Sequence, residues 1–194
     1  YLYLYICIYT KKEGKSWLPC AQRTLHVLHN SEQPASAFAI LESGNKVVPL
    51  IADGLFDLLM YKMSSVYTNK MQKMESKGPR FEIGDFCVKL GSVTINQNFK
   101  GVLVEVEYRP CVVPGSAWEL MREFLQGFLG STVSNQAPQR ASTLFNRMND
   151  IYQPLDTIQQ YLEHFGQYRK DRINVTLSGM LYLETYELSQ TTRQ

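Results

Sequence analysis

The chain has 194 residues, with 20 Lys+Arg against 18 Asp+Glu for a net charge of +2. Hydrophobic residues make up 44% and charged residues 20%, ordinary globular usage that excludes a disordered, collagenous or coiled-coil chain. One domain with a sizeable core is the expectation at this length, and without clustered Lys/Arg there is no polyanion-seeking surface.

Residues 1–9 alternate strictly. Tyr1, Tyr3, Tyr5, Cys7 and Tyr9 share one face, and Leu2, Leu4, Ile6 and Ile8 the other. This period of two predicts a strand, and its two apolar faces require cover on both sides. No cationic segment precedes the run, so it is not read as a signal peptide, and no apolar stretch reaches membrane-helix length. The chain opens on Tyr rather than Met, so its true start is expected to be missing, processed or altered. Residues 11–22 are polar, with Gly14 and Pro19, and read as a loop.

Thr24–His29, Ser36–Leu41 and Lys46–Ala52 are the next expected strands. The turns between them fall at residues 30–34 and at Ser43-Gly44-Asn45. Pro49 marks the last of these as an edge or bulged strand. Asp53 is the expected N-cap of a helix whose Phe56, Leu59, Met60, Met63 and Tyr67 form one stripe against the sheet. Residues 71–83 are mixed, with a turn or bulge at Gly78-Pro79. Asp85–Ile95 and Gly101–Tyr108 are strands joined by Asn96–Lys100. In the second, Val102, Val104, Val106 and Tyr108 face inward and Leu103, Glu105 and Glu107 face water. Ser116 and Glu119 fit a capping box for a helix carrying Trp118, Met121, Phe124, Leu125, Phe128 and Leu129 and ending at Gly130. Residues 131–149 read as a surface loop. Pro154 suits the first position of a second helix, with Leu155, Ile158, Tyr161, Leu162, Phe165 and Tyr168, ending near Lys170. In the tail, Ser178-Gly179 can turn between two strand-like runs as a hairpin, with a loose tail as the alternative.

Chemistry-bearing patterns are sparse. Cys7, Cys20, Cys87 and Cys111 are scattered, with no CxxC pair, and read as buried or free thiols. Glu13-Gly14-Lys15-Ser16 resembles the end of a phosphate loop, but Tyr9 stands where its first Gly belongs. His26 and His29 are three apart on a strand and point to opposite faces, so they cannot share a metal; His164 is the third histidine. Glu105 and Glu107 share a face and are read as a solvated stripe rather than an acid–base pair. Glu82 and Asp85 flank Gly84 as turn residues. Asn174-Val175-Thr176 fits a glycosylation sequon that would need a secretory context. These readings give an α+β domain of antiparallel strands and amphipathic helices, with no catalytic, cofactor-binding or metal-ligating residue assigned. Binding is the leading function by elimination, and partner-binding residues are unassigned.

Several long segments resemble the Mediator complex subunit 20 family in an insect-like form. They are 26–34 (HVLHNSEQP), 51–60 (IADGLFDLLM), 84–94 (GDFCVKLGSVT), 104–113 (VEVEYRPCVV), the helix from Trp118 to Gly130, and 149–157 (NDIYQPLDT) with the helix to Lys170. The resemblance covers roughly residues 24–170. It implies a nuclear, non-enzymatic subunit of the Mediator head module. The implied fold is an antiparallel β-barrel-like sheet flanked by amphipathic helices. The implied partners are Mediator subunit 18, as a heterodimer, the C-terminal segment of subunit 8 and, indirectly, RNA polymerase II; no cofactor, direct nucleic-acid contact or membrane is implied. Both ends depart from the family pattern. Only nine residues separate Ser16 from His26, so the family's first helix and a strand are expected to be missing. The organisation expected is an atypical strand and loop at 1–22, the subunit 20-like domain at 23–170 with the loop at 131–149, and an atypical tail at 171–194. Tyr1–Tyr9 is the natural candidate to fill the missing strand's place. Two rivals remain: a direct DNA binder resembling the TATA-box-binding saddle, which wants a basic face and intercalating Phe pairs, and an enzyme with a pocket near His29 and Glu32, for which no constellation is present.

Overall fold

The fold was analysed in a computed structural model that describes residues 2–12, 23–44, 46–69, 73–130, 133, 148–170 and 178–182. The elements are, in chain order, β1 (Leu2–Lys11), β2 (Arg23–Asn30), β3 (Ser36–Ser43), β4 (Lys46–Asp53), α1 (Phe56–Lys62), β5 (Tyr67–Asn69), β6 (Met74–Gly78), β7 (Arg80–Ile83), β8 (Phe86–Ile95), β9 (Asn98–Tyr108), α2 (Pro114–Leu129), α3 (Pro154–Lys170) and β10 (Ser178–Tyr182). The strands form one sheet in the order β10-β9-β8-β6-β1-β2-β3-β4, with β5 added to β1 and β7 added to β8. Every pairing is antiparallel except β10 on β9. This is the α+β class expected. Among the described residues the sheet stays open, with β4 at one end and β10 at the other, rather than closing as a barrel.

The N-terminal strand lies at the centre. β1 pairs with β2 along one edge, Leu4 opposite Asn30 to Thr10 opposite Thr24. Its other edge is shared by β6 and β5. Leu2, Leu4, Ile6 and Ile8 are all buried, and Tyr9 is buried on the opposite face. The strand therefore has the two-sided cover its sequence demands.

Two cores flank the sheet. On one face Leu4, Ile6, Leu28, Phe38, Ile40, Met74, Val93 and Leu103, drawn from six strands, converge on Ile158, Tyr161, Phe165 and Tyr168 of α3. A sheet that brings six strands to one helix must curl around it. On the other face α2 covers β8 and β9 through Val88, Val104, Val106, Met121 and Leu125. At the far end of that face, Met60 of α1 meets Tyr9, Val27, Ala37 and Ala39.

Several local expectations are corrected. The cap of α1 is Leu55, not Asp53; Asp53 ends β4, and its Oδ1 accepts the Leu55 N–H at 2.8 Å. The helix stops at Lys62, capped by Met63, and Tyr67 opens β5. Residues 74–83 hold β6 and β7, both laid along β8, with the expected irregularity at Gly78-Pro79. There the backbone passes so close to β8 that a Cβ on Gly78 would sit 1.7 Å from the Leu90 carbonyl oxygen. Glu82 accordingly lies in β7, not in the turn. The β8–β9 connection is shorter than expected, because Asn96 and Gln97 both take positive φ and β9 resumes at Asn98; two such residues match a tight hairpin turn. The Ser116–Glu119 capping box does not form. Val113 is the N-cap of α2, without a side-chain cap, Pro114 begins the helix, and Glu119 pairs with Arg122 instead. Ser178 and Gly179 belong to β10, where pairing with the β9 edge satisfies backbone groups that a turn would leave open. The phosphate-loop-like segment, the stretch where the family's first helix is expected to be missing, most of the 131–149 loop, Cys20 and the sequon lie outside the described residues.

Candidate functional site

The two strand histidines lie apart. His26 Nε2 stands 3.1 Å from Glu42 on β3, and His29 Nε2 stands 3.0 Å from Asp57 on α1. Strand alternation puts them on opposite faces, as the three-residue spacing requires. Tyr5 stacks on His29 with ring centroids 4.4 Å apart. The Tyr5 and Tyr9 hydroxyls donate to Asp57 at 3.2 and 3.4 Å. His29 above all, with the two tyrosines, holds the Asp57 carboxyl below its usual range, while burial and the same carboxylate push Tyr5 up to about 12. Cys7 is nearby, but burial and the Asp57 charge push its thiol up to about 11, so it is not a thiolate at neutral pH. The arrangement fastens α1 to the tyrosine face of β1. His29 and Glu32 do not share a pocket: Glu32 turns instead to Lys89 and Arg80.

Glu105 and Glu107 overturn the expectation of a wet outer face. They are 1% and 3% exposed. The reason is that β8 and β9 are covered twice, by α2 on the valine face and by α3 on the other. Glu105 receives the Lys89 ammonium at 2.9 Å and the Tyr161 hydroxyl of α3 at 2.7 Å. Lys89, itself 2% exposed, also reaches Glu32 at 2.6 Å. Burial alone would lower the Lys89 pKa, but the two carboxylates outweigh it and raise it. Glu107 lies 3.7 Å from Arg109. These charges stitch the β2–β3 turn, β8, β9 and α3 together. Lys89 was the available sequence signal: it falls on the same alternating face of β8 as Glu105 does on β9, directly opposite in register. Among the described residues, no group of three or more His, Cys, Asp or Glu could hold a metal, and Cys7, Cys87 and Cys111 are free.

A different feature stands at the open end of the sheet. All of β4 except Ala52 is exposed, on both faces. Among the described residues no strand pairs with its outer edge, and the strand carries exposed Val47, Val48, Leu50 and Ile51. The helix that follows adds to it. Leu55, Leu58, Leu59 and Tyr61 are exposed, Tyr61 at 77% and Ile51 at 68%. Of the stripe expected to bury against the sheet, Met60 is buried, Phe56, Met63 and Tyr67 are half-buried and Leu59 is exposed, so the residues turned to solvent lie mainly beside that stripe. On the other face of β4 a cavity of about 340 Å³ opens between Pro49, Leu50 and Ile51 and the start of α3 at Pro154, Leu155 and Ile158. Contiguous apolar surface of this kind marks an interaction site.

A family model described as "TATA-binding related factor (TRF) of subunit 20 of Mediator complex" matches residues 4–166. This chain belongs to the Mediator subunit 20 family. The match reaches upstream of residue 24 into β1. Mediator of RNA polymerase II transcription subunit 20 of Aedes aegypti is 68% identical over 157 residues, covering 77% of this chain and 72% of the mosquito protein. The Drosophila melanogaster protein of that name is 51% identical over 170 residues, 81% of this chain and 66% of the fly protein. The Mus musculus protein is 44% identical over 161 residues, 82% of this chain and 72% of the mouse protein. The aligned part of the Mediator subunit 20 family thus takes in the central strand, both cores and the exposed β4–α1 surface.

Proposed function

We propose that this chain acts in the nucleus as subunit 20 of the Mediator head module, a non-catalytic coregulator that links activators to RNA polymerase II. In this reading it pairs with Mediator subunit 18 and meets the C-terminal segment of subunit 8. The observation that carries the reading is the exposed apolar surface of β4 and α1 at an unpaired strand edge. A lone soluble domain would blunt such an edge; a partner that covers it supplies both hydrogen bonds and buried area. Stable interfaces of this sort bury about 1,200–2,000 Å² in total.

The test is co-expression with subunit 18 and measurement of the purified mass by light scattering. A one-to-one complex is expected, with the chain alone aggregating. Carrying Ile51→Lys and Leu58→Lys together, it should stay folded, become better behaved alone and lose its partner. A stable monomer that ignores subunit 18 sinks the pairing. A complex indifferent to the two lysines sinks the assignment to this surface.

Direct duplex binding is the second reading, and the family description's own words favour testing it. The net charge of +2 supplies few phosphate contacts. Affinity for DNA that falls steeply with salt would revive it.

A further inference from the structure

Little apolar area holds α1 to the sheet. The helix has seven residues, no side-chain N-cap, and Met60 as its one buried residue. Helices this short are not stable by themselves, so contacts with the sheet decide how it lies. Its flanks are pinned separately. The Gly54 N–H donates to the Ala35 carbonyl at 2.9 Å. Lys12 donates its N–H to the Val66 carbonyl at 2.8 Å and its Nζ to the Ser64 carbonyl at 2.7 Å. Between those anchors the helix turns Asp57 onto the sheet. Its Oδ2 lies 3.0 Å from His29 Nε2 and accepts the Tyr5 hydroxyl, and its Oδ1 accepts the Tyr9 hydroxyl. Tyr5 and His29 are directly opposite in register and their rings stack, so the sheet presets two of the three groups.

We propose that these groups form a polar clamp that fixes the rotation of α1, and that Asp57 is thereby the residue that positions the β4–α1 surface for its partner. The inference rests on the pairing with subunit 18 proposed above. Apolar burial is non-directional, and one methionine with the half-buried Phe56 and Met63 would tolerate several orientations. Contacts to both oxygens of a carboxylate are directional. Asp57 and Met60, three apart, share the inner face of the helix. With them fixed, Leu55, Leu58 and Tyr61, also spaced by three, are turned outward. Without the clamp, the segment between the two anchors can swing or unwind while the sheet keeps its grip on α3, because no residue of α1 belongs to that core. By linkage, a partner that binds only the closed form tightens the clamp in turn.

Hydrogen exchange and affinity test this together. Asp57→Ala raises helix propensity, so a loss of α1 comes from the clamp and not from the helix itself. In the Ile51→Lys and Leu58→Lys chain, which is expected to stay dispersed alone, adding Asp57→Ala should cut protection of the Leu59 and Met63 amides about tenfold or more. Amides of β8 and β9 should keep theirs. In the otherwise unaltered chain, Asp57→Ala should weaken binding of subunit 18 about tenfold or more, although no residue of the outward stripe is changed. His29→Phe keeps a ring against Tyr5 but not the Nε2 contact; combined with Asp57→Ala it should add little to the loss, as members of one unit do. Undiminished α1 protection would overturn the clamp, as would fully additive losses or an equal loss across β8 and β9. Lost protection with full affinity would overturn the positioning role. An unaltered chain that ignores subunit 18 sinks the pairing instead, and exchange in α1 then decides the clamp alone.

Discussion

A lysine ammonium inside a protein is tolerable only while its counter-charges stay with it, because removing one partner strands the other in a low-dielectric setting. Lys89 lies under α3 with Glu32 and Glu105 around it. Lys89→Met should therefore lower stability by about 3–5 kcal/mol, seen as a lower urea midpoint with an unchanged slope. Changing Glu105→Gln in the same chain should recover part of the loss, since no carboxylate is then left unmatched. An unaltered midpoint for Lys89→Met would show that the buried pair contributes nothing. Strand parity on β9 was legible in the sequence: Val104 and Val106 do share a face, opposite Glu105. What parity cannot tell is whether the second face is covered. That depends on α3, more than fifty residues downstream in the chain, and on a lysine supplied from β8. For the same reason the His29–Asp57 contact was invisible, since it joins β2 to a helix that strand and helix periods treat separately.

The elements themselves were largely legible where apolar spacing is long and unbroken. β1, β2, β3, β8, α2 and α3 lie close to where their patterns put them, and Pro49 correctly marked β4 as an edge. Short elements escaped. β5, β6 and β7 have only 3, 5 and 4 residues, too few for a period of two to declare itself, and they exist because β1 and β8 have edges to satisfy. At α1 the stripe of Phe56, Met60, Met63 and Tyr67 does face the sheet, but a helical period does not show that Leu55, Leu58 and Tyr61 beside it stay exposed. The central place of β1 carries a prediction. Its removal would separate β2 from β6 and open the core around Leu4 and Ile6. A chain lacking residues 2–11 should be insoluble or show no cooperative melt by circular dichroism. A soluble product with the same melting temperature would mean that another segment can take the strand's place.

At the scale of the molecule, stability is a property of the curled sheet gripping α3, and acid should loosen that grip. Burial lowers the pKa of His164 on this helix to about 4, and its Nδ1 has no hydrogen-bond partner among the described residues. The folded state thus resists a proton that the unfolded chain accepts with its ordinary pKa near 6.5. The contribution is complete above that value and is lost as pH falls toward 4, by up to about 3 kcal/mol. Urea unfolding at about pH 7 and about pH 5 should show the decline, and His164→Gln should flatten it. An equal decline in both proteins would place the acid sensitivity elsewhere.

The placement of β1 also sets the order of events during synthesis. This apolar strand leaves the ribosome before every strand it pairs with. One edge can be satisfied as soon as residues 23–30 follow, but the other waits for β6, where Leu2 finally meets Gly78. The helix that closes over its buried face, α3, begins only at Pro154. Contacts so distant along the chain slow folding and prolong the exposure of sticky intermediates. Until α3 emerges the nascent polypeptide therefore carries a half-covered, aggregation-prone strand, and chaperone demand should track the arrival of that helix.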